Sequence, residues 1–255
     1  PILLDTGGSI KGFFPENNYW ADIGTESRYR NIGLEYMIPE AFRQFNGKPP
    51  PEPVKWKKLA GDGSDRKWYR LSSGERSIIL ADHGIHAGPA TSEAKAFISI
   101  GNHLHRQGVS VPKIFLHDSL SGLVFLEDLG DVNLQQKFFD SGQSAKKSLY
   151  ESVLDNFCEM AVKGFQGFDP SWTCQTARYD RQLIIECECR YFVNSFLNDY
   201  LKLNIRFVEL REEFLKLADN ALKYSVNGFM HRDFQSRNIM VDGERIYFID
   251  FQGGR

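Results

Sequence analysis

Two aspartates and an asparagine near the end of the sequence are the residues best suited to carry chemistry. Asp233 and Asn238 lie in the stretch HRDFQSRN, and Asp250 follows in IDF. Two short runs typical of strands separate Asn238 from Asp250 and are joined through Asp242-Gly243, a strong hairpin signal. An antiparallel hairpin returns its outer ends to one edge, so we expect the three side chains to converge.

This set of side chains would suit phosphoryl transfer from ATP. That reaction needs hard oxygen ligands for Mg²⁺ and a base beside the acceptor hydroxyl, and the hairpin offers two oxygen ligands and one free carboxylate. Each residue alone more often caps a turn or ends a strand. The joint spacing H-R-D-x-x-x-x-N followed by D-F is that of a kinase catalytic loop, which favours the catalytic interpretation. We expect His231 to be buried and to shape this loop.

Two stretches nearer the N-terminus could bind the nucleotide. In KLAGDGSDRKWYRL, a turn between two predicted strands contains Gly61, Gly63 and Ser64, whose N–H groups and hydroxyl could lie over phosphates. An ordinary hairpin turn explains these residues about equally well. In LVFLEDLGD, residues 123–131, an extended segment could present backbone groups to an adenine edge.

The elements that must position these residues follow a clear order. Five runs are typical of strands, and a helix that begins after Ser92 and stops at Gly108 separates the third from the fourth. From about residue 144 to 226 the apolar period is helical, and the hairpin follows. The predicted strands span residues 54–59, 67–71, 77–81, 113–117 and 123–127, and the hairpin strands span 239–241 and 246–249.

A proline-rich stretch divides the chain. Four of the five residues from 49 to 53 are prolines, which favours an extended linker. The predicted divisions are an N-terminal segment over 1–46, a linker over 47–53, an N-lobe over 54–128 and a C-lobe over 129–255.

Composition narrows the partners and the compartment. A net charge of −2 without a basic cluster argues against nucleic acid and anionic membranes as partners. No stretch has the roughly 20 apolar residues of a membrane span, and the N-terminus lacks a signal-peptide pattern, so we expect a cytoplasmic protein. The cysteines lack paired CxxC spacing and the histidine pairs lack a third ligand, which argues against a zinc site and a disulfide framework.

With these motifs the sequence resembles the aminoglycoside phosphotransferase family, a branch of the protein-kinase-like fold that phosphorylates small molecules. Residues 54–255 carry the resemblance, which is strongest to the anomeric kinases of N-acetylmuramate and N-acetylglucosamine. It implies an α+β, bilobal fold with a five-stranded antiparallel N-lobe, one N-lobe helix and a mainly helical C-lobe. Because the family continues past its metal-binding Asp, we expect this C-lobe to be incomplete. The supporting motifs are LAGDGSDRKWYR, FLEDLGD, ARYDRQLIIECECRYF, HRDFQSRNIM and IDFQG.

The resemblance also implies roles for individual residues. ATP and Mg²⁺ would be the cofactors, Asp233 the catalytic base, and Asn238 and Asp250 the metal ligands. The expected reaction is phosphorylation of the anomeric hydroxyl of an amino sugar. The other implied site residues are the phosphate cover Gly61–Ser64, the adenine hinge Glu127, Asp128 and Leu129, and, near the sugar, Tyr179, Asp180 and Glu188.

One position departs from the family pattern. Ala81 stands where most of the superfamily has a phosphate-binding Lys, whereas Glu93 could match the ion-pair partner of that Lys. The anomeric kinases share this absence, and Lys67 or Arg70 could supply the phosphate-directed cation instead. Two alternatives stay open: a kinase for an aminoglycoside or choline, and a nucleotide-binding pseudokinase without transferase activity.

The N-terminal segment has a second resemblance. NYWADIGTESRYRN, residues 18–31, is similar to the closing motif of sugar-1-phosphate nucleotidylyltransferases, in which Asp22 would match a metal-binding Asp. A simple capping segment explains this stretch about equally well. An anomeric kinase makes the sugar 1-phosphate that such an enzyme consumes. We therefore expect a piece of a bifunctional polypeptide, or a kinase that works with a nucleotidylyltransferase.

Overall fold

A β-rich N-lobe is followed by a mainly helical C-lobe and by a β-hairpin. The structure is a computed structural model, and it describes residues 22–60, 66–85, 92–174 and 176–255. The predicted α+β class, with one helix inserted in an antiparallel sheet and helices after it, is confirmed. No helix within the described ranges combines the length and the apolar character needed to cross a membrane.

The N-lobe is built on an antiparallel sheet of five strands, each of which begins and ends within two residues of its predicted bounds. The strands are β1 (Lys55–Lys58), β2 (Lys67–Ser73), β3 (Arg76–Asp82), β4 (Ile114–Asp118) and β5 (Leu123–Glu127). Their order in the sheet is β1-β2-β3-β5-β4. The central strand β3 therefore pairs with β2 on one side and with β5 on the other.

Helices cover both faces of this sheet. Along β3, Ile78 and Leu80 belong to one buried cluster, and Ile79 and Ala81 belong to another. Successive strand residues point to opposite faces, so the two clusters lie on opposite sides of the sheet. Helix α1 (Glu26–Asn46) contributes to the first cluster, and helix α2 (Glu93–Arg106) contributes to the second.

Helix α1 packs its apolar side on the sheet. Thr25 Oγ1 accepts a hydrogen bond from Arg28 N at 3.3 Å at its start, and Gly47 ends it in the left-handed region at φ 77°. Ala41 and Phe42 are fully buried in the cluster that contains Leu80. The predicted division at residues 47–53 stays a prediction, although the helix before it shares a hydrophobic core with the N-lobe.

Helix α2 links the sheet to the segment that contains Asp250. Ser92 Oγ accepts a hydrogen bond from Lys95 N at 3.2 Å, so the predicted N-cap is confirmed. The Phe97 ring stacks on the Phe251 ring with centroids 5.0 Å apart. At Gly101 a Cβ would lie 2.9 Å from Phe251, so only glycine allows this close approach.

The C-lobe consists mostly of helices with a buried cluster of their own. Helix α5 (Arg181–Leu183) continues without interruption into wider π-type turns over Ile184–Cys189 and Phe192–Tyr200. Val193 from these turns and Ala218 from helix α6 (Arg211–Leu222) are fully buried in this cluster. The helices are α3 (Leu134–Asp140), α4 (Gln143–Phe165), α5 (Arg181–Leu183) and α6 (Arg211–Leu222).

The final hairpin is formed by β6 (Ile239–Asp242) and β7 (Arg245–Phe248), as predicted. Gly243, at φ 61°, lies in the turn between them. Val241 N donates to Val132 O at 2.9 Å, and Phe248 N donates to Ser110 O at 2.9 Å. These two contacts tie the hairpin to segments that flank both ends of the β4–β5 pair, so its position relative to the N-lobe is fixed.

Candidate active site

The hairpin brings the Asn238 amide beside the Asp233 backbone and the Asp250 carboxylate. Ile239 pairs with Phe248, and Ile249 N donates to Asn238 O at 3.0 Å, so the outer ends of the two strands lie side by side. Asn238 Nδ2 lies 3.0 Å from Asp233 O and 3.5 Å from Asp250 Oδ2. One amide group therefore contacts both segments that carry the aspartates.

Two residues of this site have a strained backbone. Arg232 has φ 71° and Asp250 has φ 65°, in the left-handed region that residues other than glycine seldom adopt. Such conformations cost about 1–3 kcal/mol each and persist where the surroundings enforce them. Here the Met230 and Arg255 backbones exchange hydrogen bonds of 2.8 and 3.1 Å, which clamps the two segments together.

His231 has the structural role that the sequence suggested. Its side chain is buried, and its Nε2–H donates to Ile249 O at 3.0 Å, which joins the loop to the segment after β7. Burial lowers the pKa of the imidazole, so the ring is neutral near pH 7. The ring therefore positions the loop that carries Asp233, whose side chain is exposed.

Asn238 and Asp250 provide a donor set that fits Mg²⁺. The hydrogen bonds of the Asn238 side chain use Nδ2, which leaves its amide oxygen as an acceptor beside the Asp250 carboxylate. Within the described part of the chain no three His, Cys, Asp or Glu residues cluster as a metal site. Mg²⁺ commonly takes one or two protein oxygens and completes its shell with water and phosphate oxygens, so two ligands suffice.

The Asp250 carboxyl is held in its charged form. Burial raises the pKa of this group, but hydrogen bonds from Gln252 at 2.9 Å and from Arg66 at 2.6 Å outweigh burial, and the net pKa is lowered. A charged carboxylate is the form that binds a metal ion. The hydrogen bonds therefore keep Asp250 ready to act as a ligand.

Arg66, which the sequence analysis did not single out, contacts the Asp250 carboxylate. Its Nη2 lies 2.6 Å from Asp250 Oδ1 and its Nε lies 3.3 Å from Glu93 Oε1, and only 7% of the side chain is exposed. Glu93 thus has a cationic partner, but the cation comes from the residue before β2. The alternating order Arg66, Trp68, Arg70 on one face of β2 was the signal in the sequence that could have identified it.

Lys67 and Arg70, which the sequence analysis considered as substitutes for the missing Lys, do not approach Asp250. Lys67 is exposed on the opposite face of β2. The Arg70 guanidinium pairs with Asp128 at 2.6 Å and with Asp131 at 2.8 Å. That one of them is the phosphate-directed cation stays a prediction.

The predicted adenine hinge lies at the end of β5. Glu127 N donates to Lys113 O at 2.9 Å, so this N–H is already used. The Asp128 carboxylate is taken up by Arg70 and by Gly130 N, which donates to it at 3.1 Å. Leu129 is largely buried. Nucleotide contacts from this segment would therefore have to come from the backbone of Asp128 and Leu129.

Of the predicted sugar-site residues, Tyr179 and Glu188 meet and Asp180 does not join them. Tyr179 Oη donates to Glu188 Oε2 at 2.5 Å, and burial together with this bond raises the pKa of the phenol to about 12. Arg232 Nη2 lies 3.7 Å from Glu188 Oε1, which connects the pair to the residue before Asp233. Asp180 instead caps helix α5, where its Oδ1 accepts from Leu183 N at 2.9 Å.

The two remaining predicted sites are the phosphate cover and Asp22. The phosphate cover Gly61, Gly63 and Ser64 lies outside the described residues. Asp22 is exposed before helix α1, where its carboxylate pairs with Arg28 and accepts a hydrogen bond from Gly24 N at 2.9 Å. These local contacts are those of a capping segment.

Sequence comparison identifies a family and individual relatives to which this chain is similar. A model of the phosphotransferase enzyme family matches residues 55–254. An N-acetylmuramate/N-acetylglucosamine kinase of Pseudomonas aeruginosa is 26% identical over 228 residues, which cover 87% of this chain and 62% of that protein. A protein of the same name from Caulobacter vibrioides is 30% identical over 125 residues, 40% of this chain and 34% of that protein. The chain thus spans less than two thirds of the length of these curated relatives.

Solved structures support the same fold at low sequence identity. The ADP-bound aminoglycoside phosphotransferase APH(2'')-Ib is 14% identical with a TM-score of 0.57, over 87% of this chain and 72% of that chain. The choline kinase LicA from Streptococcus pneumoniae is 14% identical with a TM-score of 0.54, over 87% of this chain and 69% of that chain. Because the family model covers most of the sequence, this chain belongs to the phosphotransferase enzyme family.

Proposed function

We propose that this chain is the catalytic region of an ATP- and Mg²⁺-dependent kinase that phosphorylates the anomeric hydroxyl of an amino sugar. One observation carries the proposal: Asn238 Nδ2 lies 3.0 Å from Asp233 O and 3.5 Å from Asp250 Oδ2. This amide joins the proposed base segment to the proposed metal ligand. The family match and the similarity to N-acetylmuramate/N-acetylglucosamine kinases support the reaction class and the substrate.

In this proposal the exposed Asp233 carboxylate receives the proton of the acceptor hydroxyl as that oxygen forms its bond to the γ-phosphorus of ATP. The bond from this phosphorus to the β–γ bridging oxygen breaks at the same time, and ADP leaves with that oxygen. Asn238 Oδ1 and the Asp250 carboxylate would hold Mg²⁺, which neutralises negative charge on the phosphates when bound. His231 keeps the loop in place through its bond to Ile249 O. The loop that carries Asp233 is therefore held in a fixed position relative to the hairpin.

The substrate end of the site would lie beside the Tyr179–Glu188 pair. Glu188 contacts Arg232, the residue before Asp233, so its carboxylate lies near the proposed base. A hydrogen-bonded carboxylate of this kind suits the hydroxyl groups of a sugar. The same carboxylate could also attract a cationic acceptor, which is why aminoglycosides and choline belong in any substrate test.

The nucleotide end would be completed by the backbone of Asp128 and Leu129 and by the phosphate cover of Gly61, Gly63 and Ser64. The product would be a sugar 1-phosphate. A nucleotidylyltransferase consumes that class of product, which is consistent with the similarity of residues 18–31 to such enzymes.

The test compares Asp233→Asn with Asp242→Asn, the same substitution at the exposed turn of the hairpin. ADP release is measured with N-acetylmuramate, N-acetylglucosamine, an aminoglycoside and choline. We expect Asp233→Asn to lower kcat by about 10²–10⁴-fold, as the loss of a general base does, with little change in ATP affinity. Asp242→Asn should retain full activity.

Full activity of Asp233→Asn would contradict the assignment of the base. ATP binding without phosphate transfer to any acceptor in the unaltered chain would favour the pseudokinase alternative. Transfer to the aminoglycoside or to choline alone would contradict the amino-sugar substrate and retain the reaction class.

A further inference from the structure

The Arg66 side chain joins three segments that the proposed reaction needs. It lies just before β2, contacts Glu93 on α2 through Nε at 3.3 Å, and contacts Asp250 after β7 through Nη2 at 2.6 Å. With 7% of its surface exposed, the guanidinium is fixed between two carboxylates instead of being solvated. A cation held in this way lies within one side-chain length of the proposed metal site.

The position that the family's Lys would occupy is filled by another side chain. Ala81 is fully buried on β3 and lies directly opposite Trp68 on β2. The Trp68 ring packs edge-on against Phe97 of α2 at a centroid distance of 6.2 Å. Arg66 Cζ lies 5.6 Å from the centroid of the Trp68 ring. The Arg66 guanidinium therefore lies beside the Trp68 ring, on the same face of the sheet as Ala81.

We propose that Arg66 is the phosphate-directed cation of the nucleotide site and that Glu93 positions it. This inference rests on the proposed function, because it requires ATP to bind beside Asp250. A guanidinium has five N–H donors in a planar fork that matches two phosphate oxygens, so Arg66 can keep its Nε contact with Glu93 while it binds phosphate. Asp250 then exchanges its contact with Arg66 for the metal ion.

Arg30 provides a matched control in the same lobe. It pairs with Asp82 at 2.5 Å, and its side chain is 20% exposed. Arg30 lies on helix α1, on the other side of the sheet from Arg66. Each arginine is largely buried and forms an ion pair with an aspartate, so replacement by Met removes a comparable cation in both cases. The two variants differ in their distance from the proposed phosphate site.

The experiment measures Kd for ATP, ADP and adenosine in Mg²⁺ by isothermal titration, for the unaltered chain and for each variant. Loss of a charge-assisted hydrogen bond should weaken ATP and ADP about tenfold to a hundredfold in Arg66→Met and leave adenosine within about twofold. In Arg30→Met all three values should stay within about twofold. Glu93→Gln should weaken ATP more than adenosine, since Arg66 would be held less firmly and adenosine has no phosphate for it to contact.

Arg66→Met leaves Glu93 without its cation, and circular dichroism and thermal unfolding show whether the variant folds. If it does not, Arg66→Met/Glu93→Gln removes that uncompensated charge and is titrated in its place. An ATP-to-adenosine affinity ratio equal to that of Arg30→Met would overturn the role of Arg66. An unaltered chain that binds ATP no better than adenosine would overturn the proposed function, and this inference with it.

Discussion

Arg66, directly before β2, and Arg70, within β2, lie on the same face of the sheet. Each pairs with two carboxylates, but their partners come from different parts of the chain. Arg70 contacts Asp128 and Asp131, both in the segment that follows β5. Arg66 contacts Glu93 on α2 and Asp250 after β7, and the second contact spans 184 residues of sequence. One arginine therefore fixes the end of the sheet, and the other connects the N-lobe to the proposed metal site.

The comparison shows that residue type and strand face do not by themselves separate a structural cation from a functional one. Both side chains are largely buried, at 7% exposed for Arg66 and 14% for Arg70. What separates them is the partner. Asp128 also accepts a hydrogen bond from its neighbour Gly130, whereas Asp250 lies beside Asn238 at the edge of the hairpin.

Arg70→Met should produce the largest loss of stability if Arg70 is purely structural. Asp128 is only 7% exposed, and removing its cation leaves a buried charge that costs about 3–5 kcal/mol in the free energy of unfolding. Urea denaturation followed by circular dichroism measures this loss. Titration of ATP and adenosine should show both affinities changing by the same factor, because Arg70 pairs with Asp128 and Asp131, in the segment after β5.

Arg70→Met/Asp128→Asn is the matching control, since it removes both charges and should recover most of the lost stability. A selective loss of ATP affinity in Arg70→Met would remove the distinction between the two arginines. Unchanged stability would show that the pair with Asp128 contributes nothing.

The sequence predicts the final hairpin well because that hairpin is local, and the role of its residues as a site stays a prediction. Asp233, Asn238 and Asp250 lie around one hairpin, and the turn at Asp242-Gly243 dictates their convergence. Arg66 could not be placed in the same way, since its approach to Asp250 depends on how α2 packs against Phe251. Strand alternation predicts the face of the sheet on which Arg66 lies, but it does not predict that Asp250 is its partner.

Helix α1 is the other feature that the sequence analysis did not predict. Ile38, Ala41 and Phe42 recur at helical spacing and are buried against the sheet, so the pattern was present in the sequence. The sequence analysis instead predicted a separate segment over residues 1–46. That prediction used the resemblance of residues 18–31 to another enzyme and the proline run from 49 to 53. The π-type turns over Ile184–Cys189 have no comparable sequence signal.

Gly101→Ala tests whether the packing of α2 against Phe251 is needed to hold Asp250 beside Arg66. A Cβ at this position would lie 2.9 Å from the Phe251 ring and 3.0 Å from Ile114 Cδ1, and such overpacking costs about 1–3 kcal/mol. Phe251 follows Asp250, so kcat should fall as well. Denaturation and ADP release measure the two effects.

Gly33→Ala is the control for that substitution, because it also lies inside a helix and no heavy atom would be within 4 Å of its Cβ. It should stabilise the protein by up to about 1 kcal/mol through helix propensity. A Gly101→Ala variant that behaves like Gly33→Ala would show that the contact between α2 and Phe251 is not constrained.

Stability should also depend on pH through His83, which senses Arg66 and not Arg70. Burial, followed by the positive charge of Arg66, lowers the pKa of His83 to about 4, and Asp82 opposes this shift. Neither ring nitrogen has a hydrogen-bond partner among the described residues. The neutral ring is therefore the form that the folded state accommodates.

The pKa of His83 in the folded state lies below the value of 6.5 in an unfolded chain, so protonation favours unfolding. The contribution of His83 is present above about pH 6.5 and is lost as the pH falls toward 4, by about 2 kcal/mol between pH 7 and 5. Urea denaturation at both pH values should show this loss, and His83→Gln should reduce it, whereas exposed His117→Gln should not. Arg66→Met should also reduce it, because removing the nearby charge raises the pKa of His83. An equal reduction in Arg70→Met would mean that His83 does not report on Arg66.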